Sequence, residues 1–342
     1  MNFIILKRFS LGIVILLTAL TVSAEDSDFS YLPNFHGAIR GRWEMETATG
    51  YSHFQVRNAR ISVDGMVAPN LSYMINTDFC DRGKMTILDA YAMLRVLKRL
   101  DIKVGQYRMP FGWESFRGPG GYFFNNRSFI GKQVNNYRAV GISAGYSLEK
   151  APVTAEAGIF NPTTIDDHSR WTKTYAYAGR VIYKPSAFIF ATGFESILPG
   201  DVRINLFALT ASWEYERFFV EGEYMLRWYT HKTHATTHAY NVFANYALPL
   251  HKSVFNTLSF QARFDGMSNL ASGVTPLLPN GKLETTSPAA RRITLGATLD
   301  YKYKRIRAAV RLNFEKYWFD NKAKEPVIGE GDVINAEFII KF

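Results

Sequence analysis

After residue 34, apolar and polar side chains alternate along nearly the whole chain with a period of two. In the last ten residues, Ile334, Ala336, Phe338, Ile340 and Phe342 share one face, while Asn335, Glu337, Ile339 and Lys341 share the other. Phe218, Val220, Gly222, Tyr224, Leu226 and Trp228 alternate in the same way with Phe219, Glu221, Glu223, Met225 and Arg227. A two-residue period describes a strand with one apolar and one polar face. About sixteen such runs follow one another, each about ten residues long, the length of a tilted strand that crosses a bilayer. Their centres lie near residues 39, 58, 75, 91, 104, 142, 157, 179, 192, 209, 223, 243, 262, 297, 311 and 338. The connections alternate in length. Those at 98–99, 184–186, 216–217 and 302–304 are short, and those at 109–135, 162–173, 229–237, 265–291 and 320–331 are long. Short turns on one rim and long loops on the other suit an outer-membrane barrel.

A soluble sandwich also alternates, but it buries each apolar face against a second sheet. So many strands would have to be divided between sheets or domains, and no break in composition marks a boundary. A sheet in lipid cannot leave an edge open, so it must close, with the last strand beside the first. The alternation runs to Phe342, as closure requires. The expected fold is therefore all-β: a transmembrane antiparallel β-barrel of about sixteen strands, with fourteen and eighteen compatible with the same pattern. Trp43, Trp228, Tyr229, Tyr301, Tyr303, Tyr317 and Trp318 fall near strand ends, where an aromatic girdle belongs.

The start of the chain does not share this pattern. Lys7 and Arg8 precede an apolar stretch from Phe9 to Val22; Val22-Ser23-Ala24 follows, and then Glu25 and Asp26. This order predicts a secretory signal peptide over 1–24, cleaved after Ala24, with 25–342 as one barrel domain. An uncleaved anchor helix is the competing reading, but the stretch is shorter than the ~20 residues a helical span needs. The chain carries a net charge of +10. That excess suits anions, a membrane surface or nucleic acid, and export argues against nucleic acid. The single cysteine, Cys80, excludes a disulfide framework and any multi-cysteine metal site, and is expected as a small buried apolar group.

Several motifs stand on these strands. Arg57 and Arg60 form an R-x-x-R pair entering the second strand, and Asp78 lies near the end of the third. Asp89 and Tyr91 belong to an L-x-D-A-Y strand. Gly105-Gln106 through Pro110-Phe111-Gly112 reads V-G-Q-x-x-x-P-F-G, and Arg138 with Gly141 forms R-x-x-G. Phe160-Asn161, Arg180 and Pro185 continue the series. Together these resemble the phosphate-selective porin O and P family, densely over 54–185 and only in strand layout beyond. The terminal Phe342 resembles the last residue of bacterial outer-membrane barrels. The resemblance implies a sixteen-stranded porin in the bacterial outer membrane, usually a homotrimer, with a constriction loop folded inward after the fifth strand. The glycine-rich break in alternation over 109–135 fits that loop.

An anion channel calls for inward arginine and lysine, because the guanidinium fork matches phosphate-like oxygens. On the inferred polar faces stand Lys103, Arg180, Arg227, Arg263, Lys302, Arg307, Arg311 and Lys341, against Glu156, Glu221, Glu223, Asp265, Asp300, Glu315 and Glu337. This near balance announces no strong preference. Arg117, Arg127 and Lys132 in the loop tip it toward anions, joined by Arg57 and Arg60. The alternative for these charges is solvation at a rim or contact with lipid headgroups. The candidate anion-contact set is thus Arg57, Arg60, Lys103, Arg117, Arg127, Lys132, Arg180, Arg227, Arg263, Arg307 and Arg311.

Other signals are weaker. His231, His234 and His238 have a spacing that can gather a metal, but they lie in a predicted loop without acidic ligands, so no metal is expected. The Arg117–Gly121 run lacks the lysine and hydroxyl residue of a P-loop, and no G-x-S-x-G nucleophile motif occurs. The expected function is passive diffusion of small anions or polar solutes, with no cofactor and no reaction. A plugged structural barrel or an outer-membrane barrel enzyme is the alternative.

Overall fold

The computed structural model describes residues 30–81, 84–135, 137–162, 165, 171–251, 254–320 and 331–342. The predicted signal peptide and the cleavage after Ala24 lie outside these residues, as do parts of the loops 162–173 and 320–331. The strands are β1 (Asn34–Glu46), β2 (Ser52–Ala68), β3 (Leu71–Asp81), β4 (Lys84–Leu97), β5 (Leu100–Arg108), β6 (Arg138–Ser147), β7 (Val153–Phe160) and β8 (Ala176–Tyr183). They continue as β9 (Phe188–Ile197), β10 (Ile204–Tyr215), β11 (Phe218–Tyr229), β12 (Thr237–Pro249), β13 (Thr257–Met267), β14 (Ala290–Tyr303), β15 (Ile306–Phe319) and β16 (Val333–Lys341). All sixteen close into one antiparallel barrel, and each predicted centre falls inside one strand. Closure joins Ala38 to Lys341 and Glu46 to Val333, and Gly37 and Phe342 exchange both backbone hydrogen bonds, at 2.9 and 3.1 Å.

The two faces follow the alternation. Ile75, Leu209, Val242, Phe260 and Leu312 are each about half exposed on the outside, a continuous apolar band that water would not tolerate and lipid requires. At the short-turn rim this band ends in paired aromatics, with Trp213 stacked 5.9 Å from Tyr215 and Phe218 tilted 4.6 Å from Tyr246. Two members of the predicted girdle belong elsewhere. Tyr229 and Tyr317 share the polar face: the Tyr229 hydroxyl donates to the Ala271 carbonyl at 2.9 Å, and the Tyr317 hydroxyl to Glu315 at 2.6 Å. Both have the parity of polar neighbours, and a phenol on that side needs a hydrogen-bond partner. Cys80 is half-buried and donates to the Val56 carbonyl at 3.2 Å, so it is not the fully buried group expected.

A buried apolar cluster also occupies the polar side of the sheet. Leu206 and Met225 meet Phe111, Ile130 and Val134 from one connection and Leu270, Ala271 and Leu283 from another. These connections therefore cover the β8–β13 part of the inner wall.

The family-like motifs have a local packing reason. Gly105 sits at φ +133, and a Cβ there would come within 2.3 Å of the Ala90 carbonyl oxygen and 2.7 Å of the Tyr91 Cα. Gly141 lies directly opposite it. The room left by this pair admits Tyr91, Tyr107 and Phe160, whose rings meet edge to face at 5.6 and 5.4 Å. Gly105→Ala is expected to destabilise the barrel by at least about 2 kcal/mol, from a strained φ and an overpacked wall. A lowered urea midpoint for the folded, heat-modifiable band on a gel would show it; an unchanged midpoint would refute the packing argument.

Candidate functional site

The segment 109–135 contains only short helical turns, so its backbone groups need partners from elsewhere. The polar face supplies them. The backbone N–H groups of Trp113 and Glu114 donate to Glu223 at 2.8 and 3.1 Å, and the Phe129 N–H donates to Asp265 at 2.9 Å. Arginines donate to its carbonyls: Arg311 to Tyr122 and Phe124 at 2.6 and 3.1 Å, Arg263 to Asn126 at 2.9 Å, Arg292 to Arg127 at 2.7 Å and Arg227 to Val134 at 3.0 Å. Arg307 donates to the Gly120 carbonyl and Arg40 to that of Asn125. The segment is thus fastened along the wall from β11 through β16 to β1.

This arrangement divides the predicted site residues into three groups. Arg227, Arg263 and Arg311 are at most 3% exposed and, with Arg307, hold the segment instead of lining open space. Lys103 and Arg180 share Glu156 at 3.5 and 3.3 Å, and Arg180 also lies 3.7 Å from the Phe116 ring centre. Arg117 is paired with Glu221. Arg57, Arg60, Arg127 and Lys132 form the third group, and they line a cavity of about 1080 Å³.

Arg57 and Arg60 reach the same cavity only through an irregularity. Three residues apart on a regular strand, they would point to opposite faces. Arg40 pairs with Asn58 and Gly41 with Val56, so Arg57 is an extra residue, a β-bulge that changes the parity of β2. Arg60 is then set by Asp78, which accepts from Arg60 Nε at 2.7 Å, Asn58 Nδ2 at 2.6 Å and the Ala59 N–H at 3.1 Å. Asp89 does the same for Arg138, accepting from Nε at 3.0 Å and from Asn76 at 2.8 Å. The two acids of the motif are thus positioning groups.

Arg138 was not among the predicted contacts, nor were Arg40, Arg42 and Arg108, yet all four line the cavity. The lining therefore holds eight arginines and lysines against two carboxylates, Glu44 and Glu46. The near balance expected from the wall does not describe the open space. Of the seven acids counted there, Glu221, Glu223, Asp265, Asp300, Glu315 and Glu337 are all buried. They serve the segment and its arginines.

Tyr122 stands among the cations, with Arg127 at 4.9 Å and Arg40 at 5.1 Å from its ring centre. Burial pushes its hydroxyl upward, but Arg127, Arg60 and Arg40 outweigh that and bring it below the ordinary tyrosine range. Deprotonation adds a negative charge beside the arginines. Any anion preference should therefore fall as pH rises through that lowered value, and Tyr122→Phe should remove the step. Reversal potentials measured from neutral to alkaline pH test this; the same step in the variant would refute it.

The histidines do not converge. His234 contacts Thr285 Oγ1 at 3.0 Å and the Ala235 carbonyl at 2.8 Å, while His238 contacts the Tyr224 hydroxyl at 2.7 Å. Among the described residues, no group of three or more His, Cys, Asp or Glu side chains is placed to hold a metal.

Residues 44–188 match the family model of the phosphate-selective porin O and P. That span contains the bulged Arg57, both positioning acids and the whole fastened segment. No curated protein matches the sequence. Among solved structures, an anion-selective porin from Comamonas acidovorans is 13% identical, with a TM-score of 0.60 over 91% of this chain and 98% of that one. The outer-membrane channel DcaP of Acinetobacter baumannii is 11% identical, with a TM-score of 0.62 over 94% and 100%. In-vitro folded OmpT of Vibrio cholerae, in a trimer form, is 10% identical, with a TM-score of 0.59 over 91% and 98%. At such identities the likeness is one of fold, a porin barrel. The family match adds the class of function, an outer-membrane diffusion channel.

Proposed function

We propose that this barrel passes small hydrophilic solutes with a preference for anions, through an aqueous path beside the β1–β6 wall. The observation that carries the reading is the eight-to-two excess of cationic over acidic side chains lining the cavity. The segment 109–135 acts as the constriction: it narrows a lumen that sixteen strands would otherwise leave wide. No bond is made or broken. An anion exchanges part of its hydration for guanidinium donors, several of them shared with protein acceptors, so binding stays weak enough for release. The chain is exported by its signal peptide and assembles as a homotrimer, a state supported by the trimer form of the OmpT neighbour.

One observation favours a second reading. The apolar cluster beneath 109–135 and 268–289 fills part of the interior, as a plugged structural barrel would. Conductance separates the two. Purified, heat-modifiable protein in a planar bilayer should give stepwise currents whose reversal potential in a salt gradient has the anion sign. Folded barrel without current would establish the plugged reading.

A further inference from the structure

A second charged surface lies inside the barrel, nearer the short turns. Lys103 on β5 and Arg180 on β8 each stand three residues from the short-turn end of their strand, and both lean on Glu156 of β7. Neither lines the cavity described above. Their bonds to Glu156 are long, at 3.5 and 3.3 Å, and Glu156 also accepts from the Ser143 hydroxyl at 3.1 Å. An ammonium has three N–H donors and a guanidinium five, so one bond to Glu156 leaves donors on each. The two side chains are 24% and 16% exposed, so those donors are within reach of water in the lumen. Two cations on one carboxylate also leave a net positive charge.

The segment 109–135 sets an aromatic ring against this pair. The Phe116 ring centre lies 3.7 Å from the Arg180 guanidinium carbon, yet Phe116 is 38% exposed, although it sits inside the barrel where no lipid covers it. Its neighbours extend the surface. Trp113 and Phe123 are partly exposed, Lys184 lies 5.8 Å from the Trp113 ring, and Phe123 stacks on Phe219 at 5.0 Å. A small inorganic anion gains nothing from these rings. Apolar surface left open beside cations suits a ligand that carries both an apolar body and a negative charge.

Resting on the channel reading above, we propose that this surface binds an aromatic anion in transit: an aryl carboxylate whose oxygens accept from Arg180 and Lys103 while its ring covers the exposed part of Phe116. The guanidinium fork matches a carboxylate. Acetate brings the charge without the ring, and benzamide the ring without the charge. Cyclohexanecarboxylate brings charge and bulk without the π-face that an aromatic pair uses.

The test is block of the wild-type chloride current by benzoate and these three compounds. Benzoate is expected to halve the current at a concentration at least about tenfold below acetate or benzamide, and about threefold below cyclohexanecarboxylate. Phe116→Ala should bring the benzoate-to-acetate ratio to about twofold or less, and Phe116→Tyr, which keeps the ring, should retain it. Acetate is the reference within each variant, so a general weakening of the cations cancels in the ratio. Block by any of the three at the benzoate concentration, a ratio that survives Phe116→Ala, or a ratio lost in Phe116→Tyr overturns the proposal. An anion-selective current without this preference defeats the aromatic-anion reading alone; a folded barrel with no current defeats the channel reading beneath it.

Discussion

Reversing two charges in the cavity, Arg57→Glu with Lys132→Glu, should lower the anion-to-cation permeability ratio about 5- to 20-fold at 0.1 M salt. The change takes the lining from eight cations and two carboxylates to six and four, so the net charge falls from +6 to +2. In water, a unit charge about 8 Å from a passing ion contributes roughly 0.5 kcal/mol before screening. Four such units sum to about 2 kcal/mol, and a Debye length of about 10 Å at 0.1 M removes part of it. The effect should shrink several-fold at 1 M salt, because the cavity is wet and screening there is efficient. Reversal potentials of the variant at both salt concentrations measure it. A ratio unchanged at 0.1 M would place the permeation path away from Arg57 and Lys132, and the cavity would lose its role.

The barrel itself was legible because lipid on one side and water on the other enforce a strict alternation. The strands carry that record, from Ile39 beside Arg40 to Phe338 beside Glu337, with local breaks in β2 and β5. Alternation gives parity but not partners. It placed Tyr229 and Tyr317 at a girdle because both lie near strand ends; only their odd-numbered company, Arg227 and Glu315, showed the inward face. A bulge is harder still. Nothing in a period-two reading reveals that Arg57 is an extra residue, although the three-residue spacing to Arg60 is the hint, since two arginines for one cavity demand a change of parity between them.

The site was legible in part. Arg57, Arg60, Arg127 and Lys132 line the cavity as expected. Arg40 and Arg42 alternate with Ile39, Gly41 and Trp43, and carrying the same count through β1 would have found them. Arg108 was hidden by Gly105, whose φ of +133 breaks the alternation so that Gln106, Tyr107 and Arg108 are all buried. A charge count over the wall failed for a different reason. It treats each inward charge as facing water, whereas a long segment on that wall consumes carboxylates for its N–H groups and arginines for its carbonyls. Arg227, Arg263, Arg307 and Arg311 therefore work as fasteners, as do Arg40 and Arg42 through the Asn125 carbonyl, and the cations that meet solvent are Arg57, Arg60, Arg127, Lys132 and Arg138.

Arg292 is the fastener whose loss should matter most. It was not predicted, although it shares the parity of Thr294 and lies one residue before an alternating run. Its guanidinium donates to both oxygens of Asp265 at 3.0 and 2.8 Å, to Glu315 at 3.0 Å, to the Tyr317 hydroxyl at 2.9 Å and to the Arg127 carbonyl at 2.7 Å. All three charged groups are at most 2% exposed. Arg292→Ala leaves Asp265 and Glu315 short of a cation in a dry place, at a cost of about 3–5 kcal/mol. Asp265 keeps the Phe129 N–H, and Glu315 keeps Asn126 at 3.1 Å, so the strands have a route to remain paired. The segment does not: its Arg127 carbonyl loses its donor, and its neighbours face two carboxylates that now draw in water. The segment should leave the β13–β15 wall more often. Single-channel conductance should rise severalfold with added open-state noise, and anion preference should fall, because the newly wetted surface carries Asp265 and Glu315. Conductance and reversal potential recorded together separate this from simple unfolding, which gives fewer channels of unchanged size. A variant with wild-type conductance, noise and selectivity would mean that 109–135 does not limit the path.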